Sequence, residues 1–183
     1  MLDADFTELA TERLRLRALR ADDAPALLAL YADAEVMRHW IHPPWTVLSQ
    51  AQAAIDEARR DLASGRALHL AIATRCNGRL AGSCALYDIA PGHRRATVGY
   101  LLAEPYWGKG LAREALGVLL DHGIDTLGLD RIEAEVTQHN FASQSLLARL
   151  GFRREGRLHA RWRVGGMTRD VDLWALLRHE WQG

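Results

Sequence analysis

The residues best suited to chemistry lie in a short turn at positions 108–113, here called the glycine turn. Gly108, Gly110 and Ala112 have little or no side chain, while Lys109 and Arg113 are positively charged. The turn follows a predicted buried strand and precedes a predicted helix. The first N–H groups of a helix lack intrahelical acceptors and carry partial positive charge. An anion could therefore approach this main chain closely, and a diphosphate would suit it.

The spacing in the glycine turn excludes two familiar phosphate-binding motifs. No Gly-Lys-Ser or Gly-Lys-Thr follows a four-residue gap, as a P-loop requires. The third glycine of the dinucleotide-binding fingerprint would fall at Arg113. A Gly-x-Gly pair alone is also typical of an ordinary strand–turn–helix connection, so a second motif has to decide between the two interpretations.

Hydrophobic periodicity predicts the elements that must position the glycine turn. A strand at residues 97–102 leads into it, and a helix over about residues 111–126 follows it. Alternating residues 131–137 predict the next strand, and Asn140 begins a further short helix. The whole order is β-α-α-β-β-β-α-β-α-β-β, so we predict one α/β domain over residues 1–183.

An Asn-Gly dipeptide at residues 77–78 predicts a two-residue hairpin turn. That register places Ala71 opposite Cys84. Cys76 and Cys84 then do not face each other, so no disulfide is expected between the two cysteines of the chain.

Composition limits the class of protein further. The 183 residues include 23 basic and 23 acidic side chains, and this zero net charge argues against nucleic acid as the main partner. No apolar run approaches the roughly 20 residues of a membrane span, and the N-terminus lacks the features of a signal peptide. We therefore expect a cytoplasmic protein with neither a DNA nor a membrane partner. No Cys or His cluster offers a metal site, and a homodimer through sheet edges or the final hairpin is compatible with the elements.

A second motif, at residues 140–152, reads Asn-Phe-Ala-Ser-Gln-Ser-Leu-Leu-Ala-Arg-Leu-Gly-Phe and follows a predicted strand. Together with the glycine turn about thirty residues earlier, it resembles the two signatures of the GNAT superfamily of N-acyltransferases. Segments 11–17, 33–37 and 155–170 resemble the RimJ/RimL-like branch, the ribosomal-protein N-terminal acetyltransferases. The resemblance extends almost from end to end, and two motifs in the right order are far more specific than one.

The resemblance implies a GNAT-like α/β fold, in which a mixed, largely antiparallel sheet with splayed central strands is flanked by helices. Acetyl-coenzyme A is expected, without a metal, where the strand ending at Leu102 parts from the strand starting at Arg131. Leu102 and Ala103 would hold the acetyl carbonyl and its neighbouring amide through the main chain, the glycine turn would hold the diphosphate, and Asn140 would contact the cofactor or order water. The expected cofactor-binding residues are Leu102, Ala103, Gly108, Lys109, Gly110, Leu111, Ala112, Arg113 and Asn140.

The resemblance also implies direct attack of a primary amine on the thioester in a ternary complex, with a main-chain N–H stabilising the oxyanion. Ser143 matches the serine that the family places near the sulfur, and it is the first candidate for the acid that protonates the leaving thiolate. A local hydrogen bond at the helix start is the alternative role for Ser143. Tyr100 and Tyr106 are weaker candidates.

The general base is harder to assign. Glu135, with Glu133 beside it, lies on the strand next to the expected cleft and would act through a water molecule. The alternative is that both are solvated carboxylates of the sheet face. Some relatives carry a glutamate on the strand after the last helix, but residues 159–163 contain no carboxylate here.

A loop at residues 37–45 contains two tryptophans and two prolines. Trp40 and Trp45 either form an aromatic wall of the acceptor pocket or anchor the loop on the core. The acceptor would be a protein N-terminus or a small-molecule amine. The alternative function is a non-catalytic module that binds and senses an acyl-coenzyme A, since such a module needs the glycine turn but neither acid nor base.

Overall fold

The structure is a computed structural model that describes residue 6 and residues 8–183. Eight strands form one sheet in the order β1-β2-β3-β4-β5-β6-β8-β7. The strands are β1 (Glu8–Ala10), β2 (Leu14–Ala18), β3 (Leu68–Thr74), β4 (Leu80–Ala90), β5 (Arg95–Leu102), β6 (Arg131–Thr137), β7 (Arg153–Val164) and β8 (Met167–Leu177). The α-helices are α1 (Ala24–Ala32), α2 (Ala34–Met37), α3 (Leu48–Ser64), α4 (Leu111–Asp121) and α5 (Phe141–Arg149).

Neighbouring strands are antiparallel throughout, except that β5 and β6 run parallel. The predicted mixed, largely antiparallel sheet is therefore confirmed. The short elements β1 and α2 were not predicted, and the helix expected to reach residue 126 ends at Asp121 and continues as a π-helical segment, His122–Thr126. Strands β1 and β7 form the two edges of the sheet. A dimer through these edges stays a prediction.

The sheet has a hydrophobic core on each face, to which successive side chains of a strand contribute in turn because they point to opposite sides. Leu70 and Ile72 of β3 belong to a core that α4 closes with residues such as Leu116. Ala71, between them, belongs to a second core together with Ile55 of α3. The helices α1–α3 thus cover one face, and α4 and α5 cover the other. Among the described residues, no helix has both the length and the apolar character needed to traverse a bilayer.

The two central strands pair only over a short stretch. Residues 95–97 of β5 lie opposite residues 131–133 of β6. Beyond that point each strand keeps only its outer partner, so residues 98–102 pair with β4 and residues 134–137 pair with β8. The inner edges of both strands therefore lack a strand partner across the gap, and the predicted splay is confirmed.

The β3–β4 hairpin differs from its predicted register. Cys84 lies opposite Leu70 rather than Ala71, because the longer turn shifts the pairing by two residues and a bulge at Ala81 in β4 restores only one of them. The turn is also longer than the two residues predicted, since the first hairpin bond joins residues 74 and 79. The predicted absence of a disulfide agrees with the structure, in which Cys76 is exposed and Cys84 is buried, and both are free.

Gly82 of β4 is packed tightly against the strand that borders the gap. An added Cβ atom would lie 2.1 Å from the carbonyl oxygen of Leu101 and 3.0 Å from the Cα atom of Leu102. We therefore expect Gly82→Ala to lower the free energy of unfolding by about 3 kcal/mol, the upper end of the usual cost of overpacking. Urea denaturation measures this change. Gly156→Ala in β7 is the matched control, because its Cβ would meet no atom within 4 Å; equal midpoints for the two variants would contradict the prediction.

Candidate functional site

A cavity of about 640 Å³, here called the cleft, fills the gap between the splayed strands. Residues 98–102 of β5 and residues 134–137 of β6 line its two sides, and the glycine turn and α5 line its far end. Its volume is in the range of a cofactor or small-ligand site. The unpaired edges of β5 and β6 offer main-chain donors and acceptors to an extended ligand in the same way as a strand edge accepts a peptide.

The glycine turn presents its main chain as the sequence predicts. Gly108 and Gly110 have φ values of 70° and 76°, in the left-handed region that favours glycine, and Gly110 is the N-cap of α4. Within the described residues, the N–H groups at positions 108–113 have no protein acceptor. Leu111, Ala112 and Arg113 follow and also line the cleft. Donors that converge without protein partners at a helix start fit a diphosphate.

A clamp holds the glycine turn from the other end of the chain. Arg13 donates to the carbonyl oxygen of Lys109 at 2.9 Å and forms an ion pair with Glu114 at 2.6 Å. Thr11 also donates to Glu114. Partial burial opposes ionisation of Glu114, but the bonds from Thr11 and Arg13 outweigh it and hold the pKa of its carboxyl below the usual value. Lys109 therefore contributes its carbonyl to the clamp, and its side chain does not line the cleft.

The main-chain groups of Leu102 and Ala103 have protein partners. The N–H of Ala103 donates to the carbonyl oxygen of Ala81 at 2.9 Å, and Ala103 does not line the cleft. The carbonyl oxygen of Leu102 accepts from the indole of Trp107 at 2.7 Å, while Leu102 itself lines the cleft. A carbonyl oxygen can accept a second hydrogen bond, so Leu102 can still accept one from a ligand. The N–H of Ala103 has one hydrogen, and its bond to Ala81 already uses it.

Ser143 and Tyr100 meet across the cleft. The Ser143 hydroxyl lies 2.5 Å from the phenol of Tyr100, and both residues line the cleft. Burial raises the pKa of Tyr100 to about 12, so its phenol stays protonated at neutral pH. Asn140 caps α5, with its side-chain oxygen accepting from the main-chain N–H of Ser143 at 3.1 Å. The Ser143 side chain is thus free of the helix start and points to Tyr100, which the sequence alone did not reveal.

Glu135 lines the cleft, but both oxygens of its carboxylate have partners. Arg161 donates to it at 2.8–3.2 Å, and the indole of Trp162 donates at 2.8 Å. Glu133, the neighbouring carboxylate considered for the same role, pairs with Arg95 and Arg131 instead and does not line the cleft. To accept a proton, Glu135 would have to give up one of the hydrogen bonds from Arg161 or Trp162.

His39 is a cleft residue that sequence reasoning missed as a titratable group. Its Nδ1 lies 3.1 Å from the hydroxyl of Thr137 on β6, its Nε2 accepts from the guanidinium of Arg38 at 3.3 Å, and the residue lines the cleft. Partial burial, together with the nearby charges of Arg38 and Arg169, lowers the pKa of His39, while Glu35 opposes the shift. His39 is therefore neutral at pH 7. The position of His39 in the Trp- and Pro-containing loop could have marked it as a site residue. The loop sequence does not, however, predict its contact with Thr137.

The two tryptophans of the loop occupy different surroundings. Trp40 lines the cleft, as an aromatic wall would. Trp45 does not line it; its ring stacks on Tyr31 at 4.2 Å and lines a neighbouring cavity. No group of three metal-binding side chains occurs among the residues that the structure describes.

The sequence of this chain is similar to those of known acetyltransferases. The family model described as "Acetyltransferase (GNAT) domain" matches residues 13–153. The uncharacterized N-acetyltransferase p20 of Bacillus licheniformis is 36% identical over 175 residues, which cover 96% of this chain and 98% of that protein. The spermidine N(1)-acetyltransferase of Escherichia coli is 27% identical, over 92% of this chain and 88% of its own.

Solved structures agree with these sequence matches. Mycobacterium smegmatis RimJ in complex with CoA-disulfide superposes with a TM-score of 0.84 at 28% identity, over 91% of this chain and 83% of its own. This chain therefore shares its fold with a protein whose structure contains CoA-disulfide.

Proposed function

The chain belongs to the GNAT acetyltransferase family, in its RimJ/RimL-like branch, and we propose that it transfers an acetyl group from acetyl-coenzyme A to a primary amine by direct attack. The main-chain N–H groups of the glycine turn carry this proposal, because they converge at a helix start without protein acceptors. A diphosphate held there would let an extended arm follow the unpaired edge of β5 toward Tyr100 and Ser143.

In the proposed reaction, residues that line the cleft assist the attack of the amine and the departure of the sulfur. The amine nitrogen forms a bond to the thioester carbonyl carbon, the C–S bond breaks, and the sulfur leaves with the electron pair. Ser143 donates a hydrogen bond to the departing sulfur and gives it a proton, and the proton that the base takes from the amine returns to the Ser143 oxygen through solvent. Tyr100 orients the Ser143 hydroxyl. Main-chain N–H groups on the open edge of β5 stabilise the oxyanion, because they are preorganised and partly shielded from water. Holding both reactants in one cleft supplies much of the remaining rate enhancement.

Two residues are proposed for the base that receives the proton of the amine. Glu135 is the residue that the sequence favours, but Arg161 and Trp162 occupy its oxygens. His39 is neutral at pH 7, but its Nε2 accepts from Arg38 and its Nδ1 bonds Thr137, so a proton that reaches His39 must replace the bond from Arg38. Either could act through a water molecule. The pH dependence of substituted enzymes distinguishes them.

We expect His39→Gln to lower kcat/KM about tenfold at neutral pH, less than a general base usually contributes because solvent also deprotonates part of the amine. His39 loses its role as the pH falls through its lowered pKa, since the protonated ring cannot accept a proton. The ratio of wild-type to His39→Gln kcat/KM should therefore be constant above pH 7 and approach one at acid pH. This ratio cancels the titration of the amine itself. A ratio near one at all pH values, with a loss in Glu135→Gln, would assign the base to Glu135.

An assay of free thiol release tests the whole proposal. The enzyme is incubated with acetyl-coenzyme A and a panel of amines that includes polyamines, amino acids and peptides with free N-termini. Release that depends on the amine supports an N-acetyltransferase. Tight binding of coenzyme A without release on any amine would support the alternative, a module that senses an acyl-coenzyme A.

A further inference from the structure

A second cavity of about 750 Å³, here called the aromatic cavity, adjoins the cleft. The sheet at β3–β5 forms its floor, and α3 and the loop after α2 form its roof. Trp40, Gly99, Tyr100, Glu135 and Trp162 line both cavities. The two spaces therefore meet beside the Tyr100–Ser143 pair, at the point where an acceptor amine would have to reach the thioester.

The junction is kept narrow by side chains that close in on a glycine. A Cβ atom added to Gly99 would lie 3.2 Å from the Tyr87 ring and 3.5 Å from the Trp40 ring. These rings leave little room beside Gly99, so a slender amine fits there better than a branched or bulky one. The geometry favours an unbranched carbon next to the reacting nitrogen.

The body of the aromatic cavity is apolar and ring-lined. Tyr31 stacks on Trp45 at 4.2 Å and meets Trp40 edge-on at 6.3 Å. Rings of this kind bind an apolar chain and also attract a cation through their faces. The aromatic lining consists of Tyr31, Trp40, Trp45, Tyr87, Tyr100 and Trp162.

The charged groups of the aromatic cavity are mostly acidic. Glu57, Asp61, Asp88 and Glu135 line it, while Arg66 is the one Lys or Arg among its lining residues. Three of these carboxylates do not line the cleft, so they lie on the side away from the thioester. Asp61 is paired with Arg66 and His69, and Glu135 is paired with Arg161. Glu57 and Asp88 are exposed, and no ion pair involves them among the described residues.

We propose that the aromatic cavity binds the acceptor and that the acceptor is a slender amine with an apolar body and a second positive charge at its far end, such as an alkyl diamine. This inference rests on the acetyltransferase function proposed above. The reacting nitrogen lies at the junction, the carbon chain follows the rings, and the far ammonium meets Glu57 and Asp88. An extended peptide fits less well, because its neutral main chain would leave Glu57 and Asp88 without a cation.

Three amines with the same five-carbon chain test the far-end charge. Cadaverine is positive at the far end, pentylamine is neutral, and δ-aminovaleric acid is negative. We expect kcat/KM for cadaverine to exceed that for pentylamine about tenfold, as two surface carboxylates and the aromatic faces together would give. Aminovaleric acid should be the poorest of the three. Equal rates for all three, or a faster reaction with a peptide that has a free N-terminal alanine, would overturn the proposal while leaving the acetyltransferase function intact.

Variants of the two free carboxylates give a second readout. Glu57→Gln with Asp88→Asn should remove most of the advantage of cadaverine over pentylamine, and the affinity for coenzyme A should not change. Asparagine tolerates the positive φ of 51° at position 88, so the second change is conservative. Asp22→Asn, an exposed carboxylate outside both cavities, is the control.

Binding can also be followed without turnover. Three tryptophans line the aromatic cavity, so cadaverine should change the tryptophan fluorescence of wild-type protein with coenzyme A bound. We expect the dissociation constant for cadaverine to rise several-fold in the double variant. If no amine is acetylated but cadaverine still binds in this charge-dependent way, the cavity assignment stands and the catalytic function fails. No charge-dependent binding would reject the cavity assignment.

Discussion

Gly110→Asp is expected to weaken the binding of coenzyme A by at least about a hundredfold. Gly110 is the N-cap of α4, at the centre of the unsatisfied N–H groups that are proposed to hold the diphosphate. A carboxylate about 5 Å from a phosphate charge, at an effective dielectric constant near 20, costs about 3 kcal/mol for each unit of charge. Titration calorimetry with coenzyme A measures the loss of affinity.

Gly110→Asn is the matched control for this variant, because asparagine has the same shape without the charge and tolerates the φ of 76°. The difference between the two variants therefore reports the effect of the added charge. An added Cβ atom would lie 3.6 Å from the guanidinium of Arg13, which is an ordinary van der Waals contact, so the fold should persist. Thermal unfolding checks this. Equal affinities of Gly110→Asp and Gly110→Asn would show that no phosphate binds at the turn.

The local parts of the site could be read from the sequence because each is encoded within a few residues. The alternation in β6 and the Asn140 cap of α5 depend on short-range spacing, and both appear as predicted. The positive φ values of Gly108 and Gly110 lie in a region that glycine adopts more easily than any other residue type. The splay of β5 and β6 is not a local feature, and only the resemblance to the family predicted it.

The contacts between distant segments could not be read in this way. Arg13 reaches Lys109 and Glu114 about a hundred positions away, and His39 reaches Thr137 across a similar separation. Periodicity indicates which face of an element is buried, but it does not indicate which arginine meets which carboxylate. The chain has 23 basic and 23 acidic residues, so many pairings are compatible with the sequence.

The partners of Glu135 illustrate the same limit in the catalytic assignment. As a polar position on an alternating strand, Glu135 was expected to face the cleft, and it does. Its engagement by Arg161 and Trp162 depends on a bulge in β7 between residues 158 and 162. A bulge changes which side chains share a face, and composition gives no signal for it. Glu135 therefore stays a predicted base with a competitor, His39.

The Tyr100–Ser143 pair should affect turnover rather than binding. We expect Ser143→Ala to lower kcat about a hundredfold, the usual effect of removing one positioned donor from a developing anion. The affinity for coenzyme A should stay near that of the wild type, because the glycine turn is unchanged. Ser145→Ala is the matched control, since Ser145 lies on the same helix and lines the cleft but is not proposed to contact the sulfur.

Tyr100→Phe separates a direct role of Ser143 from a shared one. Because Tyr100 stays protonated at neutral pH, it can donate to the Ser143 oxygen at 2.5 Å and leave the Ser143 hydrogen free for the sulfur. If the two hydroxyls act as a unit, Tyr100→Phe also lowers kcat, and the double variant is no slower than Ser143→Ala. Additive losses would mean that each residue acts separately. A kcat of Ser143→Ala equal to that of Ser145→Ala would remove the pair from the chemistry and leave it as a packing contact between β5 and α5.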